Sequence, residues 1–268
     1  MQSFSGKLVG GILGITLFVG AGLAWLGLAI GLLIGHFFDR GLKGAFAFTP
    51  AAKQIQQVFF NSTFRVLGYL AKVDGVVSRA EINAAENFMT RMRISGDMRQ
   101  AAIAAFNEGK DPSFELDACL DHFMKHCGTQ RMLVRLFLEV QIQMALADGE
   151  LSNAERVALV NIAKKLRFNS AQVERLIRFS THSEHFYRQN QRVPDSPKSS
   201  LSDAYATLGV NENTPLTEIK RAYRKLMAQH HPDKLMAKGL PEEMMAIAKE
   251  KTQTIQSAYD LVTKHHKS

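Results

Sequence analysis

The chain has 268 residues, enough for one large or two small domains, and its lysines and arginines exceed its acidic residues to give a net charge of +8. That balance admits a nucleic acid, an anionic lipid surface or an acidic protein patch as partner. Two cysteines are too few for a disulfide framework and suit a reducing compartment.

No residue from Leu8 to Gly35 is charged. Such a run makes roughly 42 Å of helix against a hydrocarbon core of about 30 Å, so a single N-terminal transmembrane helix is expected. A secretory signal has a shorter apolar region and a small-residue cleavage site, whereas GHFFDRG follows here, which favours an uncleaved anchor. Lys7 is the only basic residue before the span, and Arg40, Lys43 and Lys53 follow it, which puts the N-terminus outside and the bulk of the chain in the cytoplasm. Gly27, Gly31 and Gly35 recur every fourth residue, with Gly10 and Gly14 at the same spacing. This ridge of small residues would let two spans approach as a homodimer.

Residues 1–36 are thus read as the anchor and 37–48 as a juxtamembrane segment. From 49 to 183 the periodicity is helical, as in Ile55, Val58, Phe59, Val66, Leu67 and Leu70. Within it AKVDGVVSRAE, Ala71 to Glu81, is echoed by ALADGELSNAE, Ala145 to Glu155, at an offset of 74 residues. Asp-Gly supplies a turn, and Ser78 with Glu81 or Ser152 with Glu155 has the spacing of a capping box, so each copy reads as helix, turn, capped helix. A sharper alternative brings Asp74, Glu81, Asp148 and Glu155 together as hard oxygen ligands for a divalent cation. The pattern resembles the TerB-like helical domain of tellurite-resistance proteins, which implies an all-helical fold and keeps the metal alternative open.

In CLDHFMKHC, Cys119, His122 and His126 share one side of a helix next to Cys127, a set zinc would accept. Leu116, Leu120, Phe123 and Cys127 form an apolar stripe in the same stretch, which makes the cysteines small core residues instead. Residues 184–200 include RQNQRVPDSPKSS, with two prolines and almost nothing apolar, and read as a flexible or extended linker.

The remaining residues, 201–268, read as a small helical domain. Ser202 is placed as cap of a first helix ended by Gly209, and Thr214 as cap of a second with Pro215 at its first position. Leu216, Ile219, Tyr223, Leu226 and His230 line one face of that second helix, and Lys220, Arg221, Arg224 and Lys225 cover the other. A third helix after Pro241 carries Met244, Ala248, Ile255, Ala258, Tyr259 and Val262 as the complementary stripe. His231, Pro232 and Asp233 then fall in the loop at the tip of a helical hairpin, where proline stiffens the corner beside the cations.

IKRAYRKLMAQHHPDK and IQSAYDLV resemble the second and third helices of a J-domain, with His231, Pro232 and Asp233 matching the family's signature tripeptide and Asp203, Ala204, Tyr205, Leu208, Gly209 and Val210 its first helix. The whole chain resembles the membrane-anchored DnaJ-like co-chaperones of Gram-negative bacteria. That resemblance implies docking on the chaperone DnaK, stimulation of its ATP hydrolysis, recruitment to the inner membrane and a part in envelope or capsule regulation. It makes Asp233 an ion-pair partner of a DnaK arginine, with His231, Pro232 and the four cations in the same contact. The glycine/phenylalanine-rich stretch and zinc-binding cysteine repeats of full DnaJ are absent from the sequence.

Two other readings remain. One is a membrane-tethered divalent-metal or stress sensor acting through the central domain. The other is a tethered nucleic-acid binder using the basic helix, which the carboxylate projecting beside phosphates disfavours, so no nucleic acid is expected. No nucleophile, phosphate loop or paired carboxylates argue for an enzyme, and no cofactor is called for.

Overall fold

The computed structural model describes residues 50–75, 79–146, 151–191 and 197–266, apart from the side chains at 80–81, 187–191 and 197–200. The uncharged run with Gly27, Gly31 and Gly35 lies outside them, as do Ser78, Asp148 and the side chain of Glu81. Every regular element among the described residues is helical, and none is long and apolar enough to cross a membrane.

The central region is built from α1 (Pro50–Leu70), α2 (Arg79–Arg91), α3 (Gly96–Lys110), α4 (Leu116–Cys127), α5 (Arg131–Ala145), α6 (Asn153–Lys165) and α7 (Ser170–Gln191). Helix α5 is apolar nearly all round and is buried accordingly, from Leu133 to Ala145. Phe137 on it meets Phe123 of α4, with ring centroids 4.2 Å apart, and Phe59 of α1, at 6.2 Å. These rings tie the two halves of the core together. Helices α1 and α3 cross so closely that a Cβ at Gly68 would run into the Phe106 carbonyl and one at Gly109 into that of Arg65.

The internal repeat extends well beyond the matching eleven-residue segments. Arg79 and Asn153, which open α2 and α6, stand 74 residues apart, and so do Gly96 and Ser170, which open α3 and α7. Both α2 and α6 end the same way: Arg93 (φ 55°) and Arg167 (φ 64°) are left-handed. The next amide, Ile94 or Phe168, bonds back to the carbonyl of Met89 or Ala163 at 2.9 Å, the Schellman pattern. The region is therefore two three-helix units, α1 to α3 and α5 to α7, joined by α4. Ser152 closes the capping box read from the sequence, accepting from the Glu155 amide at 3.1 Å while the Glu155 carboxylate accepts from the Ser152 amide at 2.8 Å.

The linker expected over 184–200 is helical for most of its length. Helix α7 continues to Gln191 and α8 (Pro197–Leu208) follows, with only 192–196 between them, outside the described residues. Phe186 explains the first part of the difference, since it is buried with Phe179 in the C-terminal core and anchors the end of α7 there. Because α8 begins at Pro197, Ser202 is an interior residue and not a cap.

The C-terminal region continues with α9 (Leu216–His230), α10 (Pro232–Ala237), a 3-10 turn (Glu242–Met244) and α11 (Met245–His265). Ala204, Tyr205, Leu208, Ile219, Ile255, Ala258 and Val262 form its core. Leu235, Leu240, Met244, Ile247 and Ala248 join the central core instead. Residues 51–268 accordingly form one compact unit.

Candidate functional site

Helix α9 opens at Leu216 after Pro215, so Thr214 does not cap it; the Thr214 hydroxyl accepts from the Asn211 amide at 3.0 Å and shapes the preceding turn. Leu216 is exposed, but the rest of the expected inner face packs: Ile219 and His230 are buried and Tyr223 and Leu226 half-buried. Tyr223 stacks on Tyr259 of α11 at 4.2 Å, and its hydroxyl bonds Gln256. These contacts set the hairpin's two long helices side by side. Lys220, Arg221, Arg224 and Lys225 are all exposed on the outer face, as the sequence pattern requires.

The tripeptide departs from an open loop. His231 is extended (φ −59°, ψ 123°), Pro232 is the first residue of α10 and Asp233 lies exposed in its first turn. Proline disfavours helical geometry at the residue before it while its own φ suits a helix start, so α9 must stop at His230 and a new helix can begin at once. The His231 carbonyl accepts from the Leu235 amide at 3.0 Å, and the Leu235 side chain is buried against the central core. The corner is thus fixed from below by Leu235 while Asp233 faces solvent.

Gly239 fixes the next bend. It has φ 102°, and a Cβ there would stand 2.6 Å from Ile55 Cγ2 of α1.

Under the corner lies a buried polar cluster that pattern reading missed. His230 stacks on Phe179 of α7, with centroids 5.7 Å apart and planes 11° from parallel. Its Nδ1 is 3.6 Å from Oε2 of Glu139 on α5, an oxygen that also lies 3.4 Å from Nζ of Lys251 on α11. Arg135 Nε donates to the other Glu139 oxygen at 2.7 Å. The available signal was Glu139 itself, a carboxylate inside the apolar helix RMLVRLFLEVQIQMA that needs a partner from elsewhere.

The other candidates are placed as follows. Asp74 is exposed after α1, and Glu155 spends its carboxylate on the cap. Among the described residues no group of three or more histidines, cysteines or carboxylates stands ready to hold a metal. Burial pushes the Cys127 thiol up to about 12 and raises Cys119, the opposite of what a thiolate ligand needs. Cys127 lies in the core beside Leu120 and Phe123, while the His122 and His126 rings, 4.7 Å apart, flank it.

The Co-chaperone protein DjlA of Coxiella burnetii is 46% identical to this chain over 98% of both proteins. The chain belongs to the DjlA co-chaperone family. The DjlA proteins of Photorhabdus laumondii, 42% identical, and of Escherichia coli, 41% identical, are each matched over 97% of both chains. The DnaJ domain family matches residues 203–268, which contain the tripeptide and the cationic helix. The family of the tellurite resistance protein TerB matches residues 62–178, most of the two-unit helical region. This DjlA-family chain is thus a J-domain co-chaperone with a TerB-like centre. No solved structure matches it.

Proposed function

We propose that the J-domain docks on a DnaK-type chaperone through His231, Pro232, Asp233, Lys220, Arg221, Arg224 and Lys225 and stimulates its ATP hydrolysis. The observation that carries this reading is that Asp233 and all four cations are exposed on a hairpin whose opposite sides are packed away. A positive helix face speeds encounter with an acidic surface, and a single carboxylate beside it sets the register. The J-domain supplies no chemistry of its own in this reading, and the chaperone hydrolyses the nucleotide.

The uncharged run from Leu8 to Gly35 anchors the chain in the bacterial inner membrane, N-terminus in the periplasm, so that the chaperone is recruited to that surface. Gly27, Gly31 and Gly35 pair two such spans. What supports this is sequence: the length of the run, the basic residues that follow it and the glycine spacing. Domain limits of 1–36, 37–48, 49–183, 184–200 and 201–268 complete the proposal, with α7 reaching across the third of these limits and α8 across the fourth.

The decisive experiment is single-turnover ATP hydrolysis by DnaK with the full chain in detergent micelles, beside its His231→Gln variant. Stimulation that the substitution removes is expected. Hydrolysis at the basal rate with the unaltered chain would end the proposal.

A further inference from the structure

Helices α7 and α9 and the turn after α8 enclose a groove of about 810 Å3, within the range of about 300 to 1,000 Å3 typical of ligand clefts. One wall comes from the TerB-like region and the other from the J-domain. Its lining contains Arg135, Arg175, Arg178 and Lys225 and no aspartate or glutamate. Arg135 is engaged by Glu139. Arg175, Arg178 and Lys225 are exposed and have no ion-pair partner among the described residues.

Between the cations the groove offers the half-buried apolar side chains of Phe168, Val210 and Leu226, interspersed with polar Gln172, His182 and Asn211. Two further lining groups, the hydroxyl of the fully buried Thr207 and the side-chain carbonyl of Gln229, find no hydrogen-bond partner in the protein. Both atoms lie beneath the groove's surface, without contact to solvent, and are not contacts for a bound molecule.

We propose that this groove binds a short acidic and apolar peptide segment of a partner protein, carboxylates on Arg175, Arg178 and Lys225 and apolar side chains between them. A nucleic acid would satisfy the cations with a regular row of phosphates, but it places no branched side chains between them for Val210 and Leu226. A bilayer surface is too flat to enter a concave cleft. A peptide with acidic and aliphatic residues satisfies both. The site goes beyond the DnaK contact proposed above, since two of its three exposed cations lie on the TerB-like wall.

The test is fluorescence anisotropy of a fluorescein-labelled peptide alternating glutamate and leucine, titrated with the full chain in detergent micelles and with empty micelles as blank. Because it involves no ATPase, its outcome is independent of chaperone stimulation. Arg175→Glu with Arg178→Glu should weaken binding about tenfold or more. Lys53→Glu with Lys249→Glu, an equal charge change at exposed positions outside the groove, should leave it unchanged. Replacing the peptide's glutamates by glutamine or its leucines by serine should each abolish binding. Equal weakening by both chain variants, retention by the glutamine peptide, no binding of the acidic peptide, or preferential binding of a labelled oligothymidylate or anionic vesicles would each overturn the proposal.

Discussion

His230, the last residue of α9, lies with Nδ1 3.6 Å from Oε2 of Glu139 on α5, and neither side chain meets solvent. Burial holds the imidazole down to about 4, overcoming the pull of Glu139, with Lys251 and Arg135 adding to the depression. Burial alone would raise Glu139, but the positive charge of its neighbours keeps it ionised, at about 2. Since His230 is uncharged at neutral pH, Lys251 and Arg135 supply that charge. The J-domain and the TerB-like region therefore meet over one carboxylate, two cations and a neutral ring.

This arrangement makes stability depend on pH in a defined direction. When the unit unfolds, the imidazole returns to about 6.5, so between pH 6.5 and 4 the unfolded chain binds the extra proton. Stability therefore falls as pH falls through that window, by up to about 3 kcal/mol from this group. Glu139 adds to the loss only below about 4.5. Urea denaturation at pH 7.5 and 5.5 should show a clear drop in the unaltered chain and a flatter response in His230→Gln. Equal drops in both would remove His230 from the explanation.

Removing one member of the cluster is more damaging than replacing the pair. Glu139→Ala leaves Lys251 buried without a counter-charge and should cost about 3 to 5 kcal/mol in denaturant unfolding. Glu139→Leu with Lys251→Met removes both buried charges and should recover most of that loss. Arg135 is partly exposed and can turn to water. A double variant as unstable as Glu139→Ala would mean that packing volume, and not charge, decides the site.

The helical periods, the duplicated turn and the cationic face were legible because each is a local pattern of residue types. Ser152 and Glu155 sit three apart, and Lys220, Arg221, Arg224 and Lys225 fall on one helix face whatever lies around them. What could not be read was which core each apolar residue joins. Met244 and Ala248 share a stripe with Ile255 and Ala258, yet the first two pack into the TerB-like core and the others into the J-domain. Phe186 looked like part of a polar linker, and its burial there extends α7. Such differences come from contacts far apart in sequence, which a helical period does not encode.

Gly239 joins the two regions through backbone shape. Its φ of 102° strains any other residue, and the space a Cβ needs is taken by Ile55. Gly239→Ala should therefore cost about 1 to 3 kcal/mol. Adding Ile55→Ala removes the methyl in the way but not the dihedral strain. A double-mutant cycle by urea denaturation should then show a favourable coupling that offsets only part of the loss. Strict additivity would show that the steric contact with α1 is immaterial.

The exposed face of α9 gives the last prediction. Four cations within six positions should act chiefly on the rate of encounter with an acidic surface, since exposed charges steer association and are screened by salt. Lys220→Glu with Arg224→Glu should slow formation of the proposed complex with DnaK about tenfold at low salt, measured by stopped-flow fluorescence, with a gap that narrows as salt rises. Asp233→Asn should behave differently, because one carboxylate in a stiff corner fixes orientation and does not attract from a distance. Its association rate should stay near that of the unaltered chain while ATPase stimulation is lost. If both variants slow association equally and salt narrows neither gap, the division between steering helix and orienting corner is wrong.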